Sequence, residues 1–164
     1  MSTQTQTFAV RPIDPAVTGR LRLLDDAGRV PETVVDADGG SPLRCCLRVS
    51  RPGERLLLAS YAPLRRWVIA AGVDPAAYDE LGPVFLHAEA CDGTTDDGWP
   101  SELRGTPRVL RAYGADGRIL DGRVLTESDD PERVVDELFA DDRVAFLHAR
   151  ALLFGCFTFA IERA

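Results

Sequence analysis

The chain has no lysine and no asparagine, so all 19 of its basic residues are arginine. Without lysine it cannot form a Schiff base, anchor pyridoxal phosphate or complete a Walker phosphate loop. Without asparagine it carries no N-x-[ST] glycosylation site. Histidine is almost as scarce, with only His87 and His148. The four cysteines, Cys45, Cys46, Cys91 and Cys156, contain no C-x-x-C pair, which removes the usual zinc-ribbon and thioredoxin-like spacings. No G-x-G-x-x-G is present, Gly39-Gly40-Ser41-Pro42-Leu43 is not a nucleophile elbow, and Asp36-x-Asp38 lacks the later ligands of a calcium loop. No apolar run approaches the roughly 18 residues that a membrane span needs.

What is present suits one globular domain: 164 residues, 45% of them hydrophobic, enough to bury about two-thirds of the unfolded surface. The 26 acidic residues outnumber the basic ones, giving a net charge of −7. That balance argues against a nucleic-acid or anionic-membrane partner. Met1 to Thr7 is polar, has no basic start and no apolar core, and reads as a flexible tail rather than a leader. A cytoplasmic, soluble protein with reduced thiols is expected.

The pattern along the chain predicts an α+β fold: a largely antiparallel sheet with two or three flanking helices in a single domain, 1–164. Asp14-Pro15 caps a helix carrying Val17, Leu21 and Leu24 as far as Gly28. Residues 29–44 read as a long connection. Strands are expected over 55–61 and 83–91, with a short helical turn at Asp74-Pro75 between them. Residues 92–105, with Trp99-Pro100 inside, read as a loop that folds back as a lid. Residues 107–113 and 118–126 flank a glycine-bearing hairpin turn. Asp130-Pro131 starts a helix with Val134, Val135 and Leu138 inward, and strands follow over 143–150 and 155–162.

Both histidines lie in the same pattern, Phe85-Leu86-His87-Ala88-Glu89-Ala90 and Phe146-Leu147-His148-Ala149-Arg150-Ala151. On a strand alternate residues share a face, so His87 lies with Phe85, Glu89 and Cys91, and His148 with Phe146 and Arg150. If the two strands are neighbours, Glu89 approaches Arg150 and two imidazoles line one pocket with a thiol. His87 and His148 are then acid or base candidates, Cys91 or Cys156 a thiolate nucleophile, and Arg150, Arg111 and Tyr113 anchors for an anionic group. The competing interpretation is two half-buried histidines and a structural Glu89–Arg150 pair. Arg108 lies near Arg111 on the other face, and a solvated arginine face is as good an account of these residues. Cys45 and Cys46, adjacent on an extended chain, would send only one thiol inward. A zinc site from the Cys and His residues is conceivable, but ligands scattered over more than 100 residues make no motif, so no metal or other cofactor is expected.

The pieces Leu43-Arg44-Cys45-Cys46-Leu47, Ser60-Tyr61-Ala62-Pro63 and Tyr78-Asp79-Glu80-Leu81-Gly82-Pro83-Val84-Phe85-Leu86-His87 are followed by Cys91, Arg111-Ala112-Tyr113, His148-Ala149-Arg150, Gly155-Cys156-Phe157 and Arg163. In that order they resemble the bacterial domain-of-unknown-function family number 1203, from near residue 43 to the end. The resemblance implies a small bacterial single-domain protein and brings no activity with it. Its recurring polar positions coincide with the face residues derived above. The sequence therefore supports a small enzyme acting on an anionic small molecule, with a non-catalytic ligand-binding or protein-interaction module as the alternative and a zinc-stabilised scaffold as a third.

Overall fold

The computed structural model describes residues 5–164; the tail expected over 1–7 lies partly outside them, and Thr5 to Thr7 are exposed. The strands are β1 (Phe8–Arg11), β2 (Glu32–Asp36), β3 (Glu54–Tyr61), β4 (Gly82–His87), β5 (Arg108–Gly114), β6 (Ile119–Leu125), β7 (Val144–Ala151) and β8 (Phe157–Arg163), and the helices are α1 (Pro15–Leu21), α2 (Pro63–Ala71) and α3 (Pro131–Phe139). The α+β class is as expected, but the strands divide between two antiparallel sheets. One has the order β1-β8-β7-β5-β6 and the other β2-β3-β4. Among the described residues no helix is long and apolar enough to cross a membrane.

Each helix starts at a proline, where the missing N–H is no loss. In α1 the Asp14 carboxylate accepts from the Ala16 backbone N–H at 2.8 Å. The helix stops at Leu21 rather than running to Gly28 because Asp25 offers the chain an alternative. Its Oδ1 accepts from Ala27 and Arg29 N–H and its Oδ2 from Ser60 N–H, a turn that competes with helical bonding. Helix α2 was not expected. Its signals are Pro63 at the first position, the Leu64 and Val68 pair one turn apart, and Gly72 at φ 69 closing the C-terminus. Strand β2 was also missed, inside the segment read as a connection. Helix α3 buries Val134, Val135 and Leu138 as predicted.

The five-stranded sheet has two unlike faces. Leu110, Ala112, Leu147, Ala149, Phe159 and Ile161 pack beneath α3, each fully buried large side chain contributing about 1.5–3 kcal/mol. Trp99 joins this core edge-on to Phe159, ring centroids 5.1 Å apart. The segment read as a lid is thereby pinned in place, and Asp97 O accepts from Val10 N–H. The opposite face carries Arg111, Tyr113, Phe146, His148 and Arg150, and α2 covers part of it through Leu64, Trp67 and Val68. The β5–β6 turn must carry glycine at 117: its φ is +78, and a Cβ there would lie 2.6 Å from Val68 Cγ1. The small sheet packs Leu56, Ala59, Val84 and Leu86 against Ile13, Leu21, Leu43 and Phe157.

Candidate metal centre and arginine pocket

The two histidine strands are not neighbours. His87 is on β4 of the small sheet and His148 on β7 of the large one. Glu89 does not approach Arg150; it pairs with Arg55 at 3.1 Å on the surface. The expected single pocket is therefore two separate clusters, because the chain places the like patterns in different sheets.

The first cluster begins with the tight loop 42–49. Pro42 and Val49 bridge its base, Leu47 N–H donates to Leu43 O at 2.9 Å, and Leu47 adopts φ 61. Leu43 bridges Phe85 in parallel and Arg44 N–H donates to Phe85 O at 3.0 Å, which stitches the loop to β4 two residues before His87. The buried Arg44 side chain anchors it further, donating to Phe157 O at 2.7 Å and Pro42 O at 2.6 Å. Because this is a turn and not a strand, Cys45 and Cys46 both face His87, contrary to the alternation assumed from sequence. His87 Nδ1 lies 3.3 Å from Cys45 Sγ and 3.9 Å from Cys46 Sγ. Cys91, in the loop after β4, completes a group whose four ligand atoms all lie within 4.8 Å of one another. That loop passes closely over the first: a Cβ on Gly93 would sit 3.4 Å from Cys45 O.

Hydrogen bonds set the two neighbouring sulfurs apart, favouring charge on Cys46 and not on Cys45. His87 backbone N–H donates to Cys45 Sγ at 3.4 Å. The Cys46 thiol is pulled down to about 5, first by the Cys45 S–H that donates to it, against burial, and then by the Arg48 backbone N–H and the charges of His87 and Arg48. Cys45 is pushed up by that same hydrogen bond and by burial. On the far side of the ring, Arg48 Nη2 lies 2.8 Å from His87 Nε2 and Glu54 Oε1 3.6 Å from it. Arg48 and Glu54 form a two-pronged pair at 2.6 and 3.0 Å, which holds Glu54 down to about 2. Cys46 and Arg48 open onto a cavity of about 210 Å³ also lined by Thr94, Asp96, Ser101 and Glu102.

The second cluster lies on the polar face of the large sheet. The register sets Arg111 opposite His148, Tyr113 opposite Phe146 and Val109 opposite Arg150. Glu80, from the loop before β4, meets them: Arg111 Nη1 donates to its Oε1 at 2.8 Å, and Tyr113 OH and Arg150 Nη2 donate to its Oε2 at 2.5 and 3.1 Å. Burial and the Glu80 hydrogen bond push the Tyr113 phenol up. Arg111, Arg150, Glu80 and Cys156 line one cavity of about 310 Å³. His148, 2% exposed, touches the rings of Tyr113, Phe146 and Phe157. Its Nδ1 has no partner among the described residues. Burial, then Arg150 and Arg111, hold it well below the usual histidine range, so it stays neutral. Arg108, on the other face, is buried and donates to Thr158 Oγ1 at 3.0 Å.

The structure thus brings His87 and Cys91 together with Cys45 and Cys46, and separately Arg111, Tyr113, Arg150 and Cys156 around Glu80. Sequence reasoning missed Glu80, Arg48 and Glu54, and missed that Cys45 and Cys46 act as a pair. Adjacent cysteines beside a proline-led loop were the available signal for the last.

The class so defined is an α+β protein of two antiparallel sheets with a three-cysteine, one-histidine cluster between loops. A family model described as a protein of unknown function (DUF1203) matches residues 40–163, a span that holds both clusters, and the chain belongs to that family. No curated protein and no solved structure shows significant similarity to it.

Proposed function

We propose that this is a metal-binding protein that holds one zinc ion through Cys45, Cys46, His87 and Cys91. The observation that carries this is the convergence of four soft ligand atoms within 4.8 Å from three separate stretches of chain. Around tetrahedral zinc, with bonds of about 2.3 Å to sulfur and 2.0–2.1 Å to nitrogen, the nitrogen–sulfur edges are roughly 3.6 Å and the sulfur–sulfur edges roughly 3.8 Å. The His87 Nδ1 distances of 3.3 and 3.9 Å bracket the first value. Sulfur-rich tetrahedral sets favour zinc over harder cations. Four protein ligands leave no open position, which assigns the metal a structural role: it ties loop 42–49, the end of β4 and the loop containing Cys91 into one unit.

The surroundings of His87 set a condition on this role. Metal on Nδ1 puts the ring proton on Nε2, which faces the Arg48 guanidinium at 2.8 Å with the Glu54 carboxylate at 3.6 Å. Loading the site therefore turns Arg48 aside and brings Glu54 in to accept that proton, as the usual outer partner of a metal-bound histidine does. Without metal, Arg48, which can only donate, makes Nε2 the acceptor and leaves the proton on Nδ1 toward the thiols.

Elemental analysis and native mass spectrometry of the purified protein test this. One zinc per chain is expected, lost in Cys91→Ser and His87→Ala, with cobalt substitution giving the intense near-ultraviolet absorption of thiolate ligation. A protein that neither retains zinc nor yields that absorption refutes the proposal. Cys46 supports a second reading, a thiolate nucleophile facing the 210 Å³ cavity with His87 beside it, in keeping with an enzyme acting on an anionic small molecule. The two separate on alkylation: a zinc-bound Cys46 reacts only after chelation, whereas a nucleophile reacts at neutral pH irrespective of chelator.

A further inference from the structure

We propose that Arg111, Tyr113 and Arg150 form a recognition site for the carboxylate of a small organic acid, and that Glu80 fills it as a built-in competitor. Three donors converge on the two oxygens of one carboxylate, and all three come from adjacent strands β5 and β7, whose register fixes their spacing. Donors positioned by rigid strands are what an anion site requires.

The acceptor arrives differently. Glu80 lies in the connection between α2 and β4, with φ 57. A non-glycine residue in the left-handed region costs about 1–2 kcal/mol. A second such residue, Ala76 with φ 57, lies in the same connection. The loop therefore presents Glu80 under backbone strain, whereas the donors sit on paired strands of the sheet interior, with register shifts beside Tyr113 and Arg150.

Glu80 also satisfies the site incompletely. It engages each guanidinium through a single nitrogen, Nη1 of Arg111 and Nη2 of Arg150. Arg150 Nη1 donates to Gly155 O at 2.9 Å, and its buried Nε has no partner among the described residues. Two arginines face one carboxylate, which leaves a surplus positive charge beside the 310 Å³ cavity that Arg111, Arg150, Glu80 and Cys156 share. An incoming acid finds room there and a charge that Glu80 does not fully offset. Because Glu80 is tethered, its effective concentration is high, and a free carboxylate binds only by displacing it.

The test uses succinate as the carboxylate probe and inorganic phosphate as the control. By isothermal titration, Glu80→Ala is expected to bind succinate at least tenfold more tightly than the unaltered chain, and Glu80→Ala/Arg150→Met is expected to lose that binding. In the unaltered chain, saturating succinate is expected to raise backbone hydrogen exchange over residues 73–81 by releasing the loop. Absence of succinate binding to Glu80→Ala, or binding of phosphate but not succinate, overturns the proposal. If Glu80→Ala does not fold, the exchange experiment decides alone: unchanged exchange over 73–81 at saturating succinate overturns it.

Discussion

The same six-residue pattern, Phe-Leu-His-Ala-x-Ala, occurs twice and builds two opposite environments. On β7, His148 is enclosed by Tyr113, Phe146 and Phe157 and is held neutral by burial and two arginines. On β4, His87 is half-buried and meets thiols at one ring nitrogen and Arg48 and Glu54 at the other. β7 lies inside the five-stranded sheet with partners on both sides, while β4 is an edge strand of the small sheet, flanked by the loops that carry the cysteines. Strand position decides what a histidine becomes, because an interior strand is closed off by neighbouring strands and an edge strand is approached by loops.

If zinc holds the loops around β4, its removal is the strongest way to separate the two regions. Chelation, or Cys91→Ser, is expected to lower stability by more than about 5 kcal/mol, which for a chain of this size corresponds to a melting temperature lower by more than roughly 10 °C. Hydrogen exchange should rise in loops 42–49 and 88–98 well before it rises in β5, β7 and β8. Equal loss in both sheets would show that the cluster does not act locally.

On the other side of the comparison, Phe159→Ala removes a fully buried ring from the core under α3. A loss of about 3–5 kcal/mol is expected, read by chemical denaturation, and its size should be the same with and without chelator. Coupling between the two perturbations would mean that the regions are not independent.

His148 gives a smaller, pH-dependent contrast. Its folded-state pKa is depressed, first by burial, so the unfolded chain binds a proton that the folded chain refuses. Stability contributed by this group is present above the unfolded value near 6.5 and declines as pH falls below it, by at most about 1.4 kcal/mol per pH unit. His148→Leu is expected to flatten that part of the urea-midpoint profile between pH 6.5 and 5, and a profile unchanged by the substitution would show that His148 protonates without penalty. Smallest of all, Glu137→Gln removes the exposed pairs of Glu137 with Arg133 and Arg123, an effect expected to be below about 0.5 kcal/mol.

Much of the second half of the fold was legible in the sequence. Gly114-Ala115-Asp116-Gly117 announced the β5–β6 turn, and Val134, Val135 and Leu138 announced α3, because each signal is local and matches one element. Where local signals competed, the reading failed. Asp25 ended α1 early by bonding to Ser60, 35 residues away. The missed helix α2 buries only Pro63, Leu64 and Val68, a stripe too short to stand out among arginines. The site suffered most from one assumption, that Cys45 and Cys46 alternate as on an extended chain, since a turn with Leu47 in the left-handed region sends both thiols the same way.

By itself the sequence determined the chemical means: no lysine chemistry, a small set of thiols and imidazoles, arginine as the only strong cation, and strands whose alternation fixes which side chains share a face. Only the tertiary structure decided the partnerships. It set His87 with Cys45, Cys46 and Cys91, and it set Arg111, Tyr113 and Arg150 around Glu80 rather than Glu89. The reason is geometric: alternation constrains directions within one strand, while the sheet a strand joins and the loop that reaches it depend on contacts between residues far apart in the chain.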